Sequence, residues 1–124
     1  MVRRAKRGRL SRSAEFERVY RQGRSHANRF LVLYAFPRGE EEEPRVGLSV
    51  SRKVGGAVDR NRVKRLLREA FDARSEDLPA GHDVVVVARP DARELAEREG
   101  LDGIARALEE LVEKVGAAEE PAQG

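Results

Sequence analysis

The sequence contains no cysteine and no tryptophan, one methionine, and only two tyrosines and four phenylalanines. Without cysteine, the chain forms no disulfide, no thiolate zinc site and no cysteine nucleophile. No apolar run approaches the roughly 20 residues that span a bilayer, and the basic N-terminus is followed by no apolar signal core. We therefore expect a soluble, cytoplasmic protein.

Residue patterns typical of a protein active site are also missing. The two histidines, His26 and His82, have no metal-type neighbour at i+2 to i+4, and Asp59, Asp72 and Asp83 show no paired spacing. There is no P-loop, GxGxxG or GxSxG motif. Nothing in the sequence indicates that its own side chains catalyse a reaction.

Positive and negative charge are divided along the chain. Residues 1–75 contain 20 Lys or Arg and 9 Asp or Glu, whereas residues 76–124 contain 5 basic and 13 acidic residues. Of the 25 basic residues 21 are arginine, which binds phosphate through two parallel hydrogen bonds and stacks on bases. Arg-rich codon usage or adaptation to heat explains the arginine content but not this division. We therefore expect the first part of the chain to bind a nucleic acid.

Apolar residues with helical spacing first appear in residues 14–22. Phe16, Val19 and Tyr20 fall on one face, with Ser13 as candidate N-cap and Gly23 as candidate C-terminal cap. This pattern predicts a short amphipathic helix.

Two strands are predicted next, over residues 30–36 and 45–51, and we expect them to pair with each other across a proline-bounded acidic loop. Residues 24–28 are a candidate for an additional strand. The loop contains four adjacent carboxylates, Glu40–Glu43, which we expect to face water. A metal site in this loop is the alternative.

The segment 59–71, DRNRVKRLLREAF, combines an apolar helical face with a strongly basic one. Gly55 and Gly56 precede it, and Asp59 is its candidate N-cap. The apolar face consists of Val63, Leu66, Leu67, Ala70 and Phe71, and the opposite arc of Arg60, Asn61, Lys64, Arg65 and Arg68, with Arg62 at its edge. Crowded cations repel one another, and the helix dipole disfavours positive charge at a helix start. We therefore expect this face to bind RNA or DNA.

The last third of the chain predicts one buried strand and one long helix. The continuous apolar run 83–88 is typical of a strand covered on both faces. Residues 91–99 are charged and predict a helical turn or loop, and residues 101–115 form an amphipathic helix with an acidic polar face. We interpret that helix as a structural cover rather than an RNA-binding element.

The element order predicts a single α+β domain over residues 10–116. The order is α–β–β–α–β–α, with the candidate strand after the first helix, so helices pack on a mixed sheet in a two-layer α/β sandwich. We expect a flexible basic N-terminus, residues 1–9, and a disordered tail, residues 117–124.

The run SRKVGGAVDRNRVKRLLREAF, preceded by RVGLSV, closely resembles the signature of the bacterial ribonuclease P protein subunit. The similarity continues in RLSRSAEFERVYRQGRSHANRFLVLY upstream and AGHDVVVVAR downstream, and extends from about Arg9 to Val115. The Arg-Asn-Arg-centred helix of that family is matched by Arg60, Asn61, Arg62, Lys64, Arg65 and Arg68.

This resemblance implies a protein that binds a large catalytic RNA and, together with it, removes the 5′ leader of precursor tRNA by metal-dependent hydrolysis. The RNA would hold most of the Mg²⁺, and the protein would have no catalytic residue of its own and no obligate protein partner. The implied contacts to the catalytic RNA are Arg52, Lys53, Arg60, Asn61, Arg62, Lys64, Arg65 and Arg68. The implied leader cleft consists of Phe16, Tyr20, Val32 and Tyr34, with Arg60, Lys64 and Arg68 at its edge. The family fold resembles a ribosomal-protein-type α/β sandwich with a left-handed β–α–β crossover, opposite to the usual hand.

Some alternatives remain open. For Phe16, core packing is the alternative to base stacking. For the whole chain, the alternatives are a ribosomal-protein-like RNA binder without a processing role and a nuclease that needs no RNA subunit. The Glu40–Glu43 loop and the acidic C-terminal third lower the net charge relative to that expected for the family, which predicts weaker non-specific RNA binding.

Overall fold

The computed structural model describes residues 8–9, 13–37, 44–74, 78 and 81–119. Along the chain the elements are β1 (Gly8–Arg9), α1 (Ser13–Gln22), β2 (Arg24–Ala27), β3 (Leu31–Pro37), β4 (Arg45–Ser49), α2 (Ala57–Ala73), β5 (His82–Ala88) and α3 (Asp91–Glu119). The predicted α+β class is confirmed, and the candidate additional strand is β2.

The described strands form one mixed sheet in the order β1-β4-β5-β3-β2. β4 and β5 are parallel neighbours, so α2 is the crossover between them, whereas β3 is antiparallel to both β5 and β2. The predicted pairing of the strands at 30–36 and 45–51 was therefore wrong, because the crossover places β5 between β3 and β4. The left hand of this crossover stays a prediction. The short strand β1 pairs in parallel with β4, although the sequence predicted a flexible segment over residues 1–9.

The main hydrophobic core lies between one face of the sheet and the helices α2 and α3. On α2, the five residues predicted to form the apolar face are all buried. On β5, Val84, Val85 and Val86 have no exposed surface, as the continuous apolar run predicted. Two helices therefore cover one face of the sheet, and α1 is the one described helix that packs on the other.

The start of α2 differs from the predicted one. The N-cap is Gly56, whose backbone is extended (φ −76°, ψ −174°) and which makes no side-chain cap hydrogen bond. Asp59 lies inside the first turn, where its carboxylate interacts favourably with the helix dipole. The carboxylate also pairs with Arg62 and Arg93. The prediction of Asp59 as N-cap was therefore wrong, and α2 begins three residues earlier than that cap implies, at Ala57.

Residues 91–99 are helical rather than a turn or loop. Ala92, Leu95 and Ala96 are buried at helical spacing, a pattern that the many charges around them obscure in the sequence. Gly100 interrupts α3 with φ 60° and ψ −143°, a conformation that favours glycine, and the helix then continues to Glu119. The end of α3 thus lies inside the segment 117–124 that was expected to be disordered.

The acidic stretch Glu40–Glu43 lies outside the described residues. Within the ranges that the structure describes, no helix is both long and apolar enough to cross a membrane.

Candidate RNA-binding surface

Three aromatic residues of the predicted leader cleft lie together on the face of the sheet that carries α1. Phe16 and Tyr20 are one helical turn apart, with ring centroids separated by 6.2 Å in an edge-to-face arrangement. The Tyr20 ring also meets the Tyr34 ring edge to face at 4.9 Å, which joins α1 to β3. Tyr20 is exposed, and the other two rings are half-buried. These rings offer faces on which unpaired bases can stack.

The alternative interpretation of Phe16, core packing, is partly correct. Val19 and Val85 are fully buried between α1 and the sheet, and Phe16 and Tyr34 pack against them. Both rings remain half-buried rather than buried, so packing leaves part of each ring open to solvent.

α1 covers only part of this sheet face. Strand register places Tyr34 beside Val85 in the row under the helix, and Val32 beside Val87 in the next row. The second row extends to Ser49 on β4. Val32, Val87 and Ser49 are all half-buried, so this row forms an open floor next to the aromatic rings.

A buried ion pair lies on the same sheet face, beyond the aromatic residues. Asp83 has no exposed surface and accepts two hydrogen bonds from Arg45, one from Nε and one from Nη2, both 2.8 Å long. Arg45 Nη1 also donates to Glu15 Oε2 on α1 at 3.1 Å. The pKa of Arg45 is raised, chiefly by its hydrogen bonds to Asp83, so the guanidinium stays charged at every practical pH.

Arg18 on α1 completes this cluster. Its Nη2 lies 3.4 Å from Asp83 Oδ2, and its guanidinium lies over the Phe36 ring, 5.4 Å from the centroid. The sequence did not predict Arg18, Arg45, Phe36 or Asp83 as parts of the site. A carboxylate next to a run of valines was the available signal, because a buried carboxylate requires a cationic partner.

The turn between β4 and α2 presents Arg52 and Lys53 to solvent. Val54 N donates to Ser51 O, and Lys53 N donates to Ser51 Oγ, so Ser51 stabilises the turn through both its backbone carbonyl and its side-chain hydroxyl. Val54 is buried, which anchors the turn to the core. The turn follows β4 directly, so its two cations lie near the open floor beside Ser49.

The cations of α2 differ in their environment. Asn61, Arg65 and Arg68 are exposed, whereas Arg60 and Lys64 are half-buried along one flank of the apolar face. Arg62 lies on the other flank, which faces α3, with Nη1 3.8 Å from Glu97 Oε2 and 4.0 Å from Asp59 Oδ1. The residues of α2 that were predicted to bind RNA therefore do not lie on one uniform face.

Most cations of the turn and α2 have no acidic partner among the described residues. Ion pairs in these ranges involve other arginines, such as Arg18, Arg29, Arg45, Arg74 and Arg93, and the edge residue Arg62. The cations without an ion pair in the described ranges include Arg52, Lys53, Arg60, Lys64, Arg65 and Arg68. The Nε of Arg60 is buried without a hydrogen-bond partner in the same ranges. Unpaired cations on one element form a surface suited to a polyanion.

No group of three or more potential metal ligands from His, Cys, Asp and Glu occurs within the described parts of the chain. The carboxylates beside the aromatic residues, Glu15 and Asp83, are bonded to Arg45.

A depression of about 290 Å³ lies elsewhere, between the β2–β3 turn and α3. Its polar groups largely bond one another: Asn28 Nδ2 donates to Glu110 Oε1 at 2.7 Å, and Arg106 pairs with Glu99. Because these side chains already bond to one another, we interpret the depression as part of the contact between the β2–β3 turn and α3 rather than as a ligand site.

Comparison with known proteins shows that the chain is similar to members of one protein family. The family model described as Ribonuclease P matches residues 5–115. A ribonuclease P protein component from Bacillus pumilus is 46% identical over 90 residues, which cover 73% of this chain and 76% of the relative. Among solved structures, the RNase P protein of Staphylococcus aureus matches with a TM-score of 0.78 and 35% identity, covering 89% of this chain and 96% of that one. The RNase P protein from Thermotoga maritima matches with a TM-score of 0.78 and 31% identity, covering 87% and 97%.

Proposed function

The chain belongs to the Ribonuclease P protein family, and from that premise we propose that it binds two RNAs at once. The turn and α2 bind the catalytic RNA of a ribonuclease P holoenzyme. The aromatic surface between α1 and β3 binds the single-stranded 5′ leader of precursor tRNA. The holoenzyme then removes the leader endonucleolytically and leaves the mature tRNA 5′ end.

The division of the cations into paired and unpaired groups is the main support for binding of the catalytic RNA. Arg52, Lys53, Arg65 and Arg68 are exposed without acidic partners in the described ranges, whereas Arg45 is held by carboxylates of its own chain. Each phosphate contact made by a free cation releases condensed counterions, which favours association with RNA. Arg60 and Lys64 lie at the boundary of the apolar face of α2, where they could reach either RNA.

The aromatic rings support the leader site. Phe16, Tyr20 and Tyr34 belong to two different elements and present ring faces and edges above a floor that includes Val32. Stacking of an unpaired base on such a ring contributes about 1–3 kcal/mol and tolerates different bases. Because only the precursor has a leader, this surface would distinguish the substrate from the product.

Bond cleavage in this proposal belongs to the RNA subunit, where Mg²⁺ would activate the water that attacks the phosphodiester. The protein alone would have no activity, since its carboxylates beside the aromatic surface are engaged by Arg45. The side chains of the protein instead bind the leader and hold it against the catalytic RNA. Such a holoenzyme would act in the cytoplasm without an obligate protein partner.

Replacement of Tyr34 by alanine tests the leader site. The holoenzyme is reconstituted with the catalytic RNA, and its affinity is measured for precursor tRNA and for mature tRNA. We expect Tyr34→Ala to weaken precursor binding by about tenfold, equivalent to the loss of one stacked base, and to leave mature tRNA binding unchanged.

Two matched variants separate stacking from other effects. Tyr34→Phe keeps the ring and should bind the precursor like the parent protein. Phe30→Ala removes a half-buried ring that packs against the main core, away from the leader surface, and should leave the precursor-to-mature ratio unchanged. Equal losses of both tRNAs in Tyr34→Ala would remove this residue from the leader site.

A further inference from the structure

α1 is attached to the sheet by a small hydrophobic contact. It has 10 residues and packs on β3 and β5, where Val19 and Val85 are the fully buried pair. This cluster is separate from the main core under α2 and α3. Apolar packing is non-directional, so a contact of this size leaves the helix free to rock unless other contacts fix it.

The two flanks of α1 have different contacts. At 100° per residue, Phe16 and Tyr20 lie on one side of Val19, and Glu15 and Arg18 lie on the other. The first flank meets Tyr34 at the edge of the open floor. The second flank meets the buried ion pair of β4 and β5. Movement of one flank about the Val19 contact therefore displaces the other.

The ion pair is a rigid anchor for the second flank. Two parallel 2.8 Å hydrogen bonds fix the guanidinium of Arg45 against the fully buried carboxylate of Asp83. The remaining nitrogen of Arg45 donates to Glu15 on α1, and Arg18 donates to the same Asp83. Three elements, α1, β4 and β5, thus meet at one cluster.

We propose that the Arg45–Asp83 pair, acting through Glu15, is a positioning device that sets the distance between the α1 rings and Tyr34 and thereby the affinity for the leader. This inference rests on the leader site proposed above. None of the four charged residues of the cluster, which also includes Arg18, needs to touch RNA for the effect. Loss of the anchor would let α1 rock and would misplace Phe16 and Tyr20 relative to the base that they stack on.

Glu15 is the residue to replace, because removing Arg45 would take two 2.8 Å hydrogen bonds from the fully buried carboxylate of Asp83 and endanger folding. Glu17 provides the matched control: it is on the same helix, has the same charge, and among the described residues pairs only with exposed Arg21, at 3.7 Å. We expect Glu15→Ala to lower the precursor-to-mature affinity ratio of the holoenzyme about fivefold, a fraction of one stacking interaction, and Glu17→Ala to leave it unchanged. Glu15→Gln, which keeps an oxygen acceptor for Arg45, should restore most of the ratio.

A double variant distinguishes positioning from general destabilisation. If Glu15 acts through the rings, Glu15→Ala should have little further effect on the ratio in a Tyr34→Ala background, since the ring that it positions against is already gone. Fully additive losses, or an unchanged ratio in folded Glu15→Ala, would overturn the positioning role. If Tyr34→Ala itself leaves the ratio unchanged, the leader site fails instead. A melting curve of each variant verifies that it is folded.

Discussion

The arginines of this chain divide by their partners, a property of individual residues that composition hides. Arg45 is committed to Asp83 and Glu15, whereas Arg65 is exposed with no acidic partner in the described ranges. Arg62 is intermediate, because Glu97 and Asp59 lie about a salt-bridge distance away. A cation that is already neutralised gains less from a phosphate than a free one, so neighbouring arginines of α2 should contribute unequally to RNA binding.

Replacement of Arg65 and of Arg62 by alanine tests this ranking. Affinity for the catalytic RNA is measured over a range of salt concentrations. Arg65→Ala should flatten the slope of log affinity against log salt by about 0.7–0.9, the value of one phosphate contact. Arg62→Ala removes the same charge but should change the slope less, because its carboxylate neighbours compete with phosphate. Equal flattening by both variants, or none by Arg65→Ala, would contradict the ranking.

Residue spacing alone was enough to predict the positions of some individual residues. The i, i+4 spacing of Phe16 and Tyr20 put them on one helix face, and in the structure Phe16 meets Tyr20, which in turn meets Tyr34. It did not find the Arg45–Asp83 pair, since the partners are 38 residues apart and nothing local specifies which arginine meets a buried carboxylate.

At the scale of elements, the pattern of apolar residues predicted the existence of α1, α2, β3, β4 and β5 more reliably than their limits, and it did not predict β1. The start of α2 was misassigned because Asp59 is a good N-cap residue, yet the chain enters the helix at Gly56. The first part of α3 was missed because residues 91–99 contain more charged residues than apolar ones, which hides the three apolar residues of the buried face. In both cases tertiary contacts, with Arg93 for Asp59 and with the core for Leu95, decided the local structure.

Gly23 determines how closely α1 and β3 approach. A Cβ at this position would lie 2.6 Å from Val19 O and 2.7 Å from Ala35 O, both backbone atoms that cannot rotate away. Gly23→Ala should therefore lower the free energy of unfolding by about 1–3 kcal/mol, as measured by urea denaturation of the free protein.

Gly116→Ala is the matched control for that substitution. A Cβ at Gly116 meets no atom within 4 Å, and the residue lies in α3, so alanine should be neutral or should stabilise by up to about 1 kcal/mol. Equal stability of the two variants would show that the α1–β3 approach tolerates a methyl group.

At the scale of the whole molecule, the division of charge along the chain becomes a division in space. The acidic helix α3 packs beside α2 and neutralises the flank that carries Arg62, while the cations of the turn and of the outer face of α2 have no acidic partner within the described ranges. The resulting field would orient RNA toward α2 and away from α3. In the proposed function, the acidic C-terminal third would thus restrict where RNA binds rather than oppose binding everywhere.

The fold class followed from the order of helices and strands, but the sheet order did not. Alternation predicts which face of a strand is buried and leaves open which strand lies beside it. The central position of β5, between parallel β4 and antiparallel β3, depends on contacts between distant segments. The family resemblance implied a β–α–β crossover but no strand order, and the fold as a whole matches the Staphylococcus aureus protein with a TM-score of 0.78.

The central claim is that this chain binds RNA while an RNA subunit breaks the phosphodiester bond. Cleavage of precursor tRNA at low magnesium tests it most directly, with three samples: the catalytic RNA alone, the RNA with the protein, and the protein freed of all RNA. We predict that the protein accelerates cleavage by the RNA and that the protein alone cleaves nothing. If the protein does not accelerate cleavage, the result would favour an RNA binder without a processing role. Cleavage by the RNA-free protein would contradict the account.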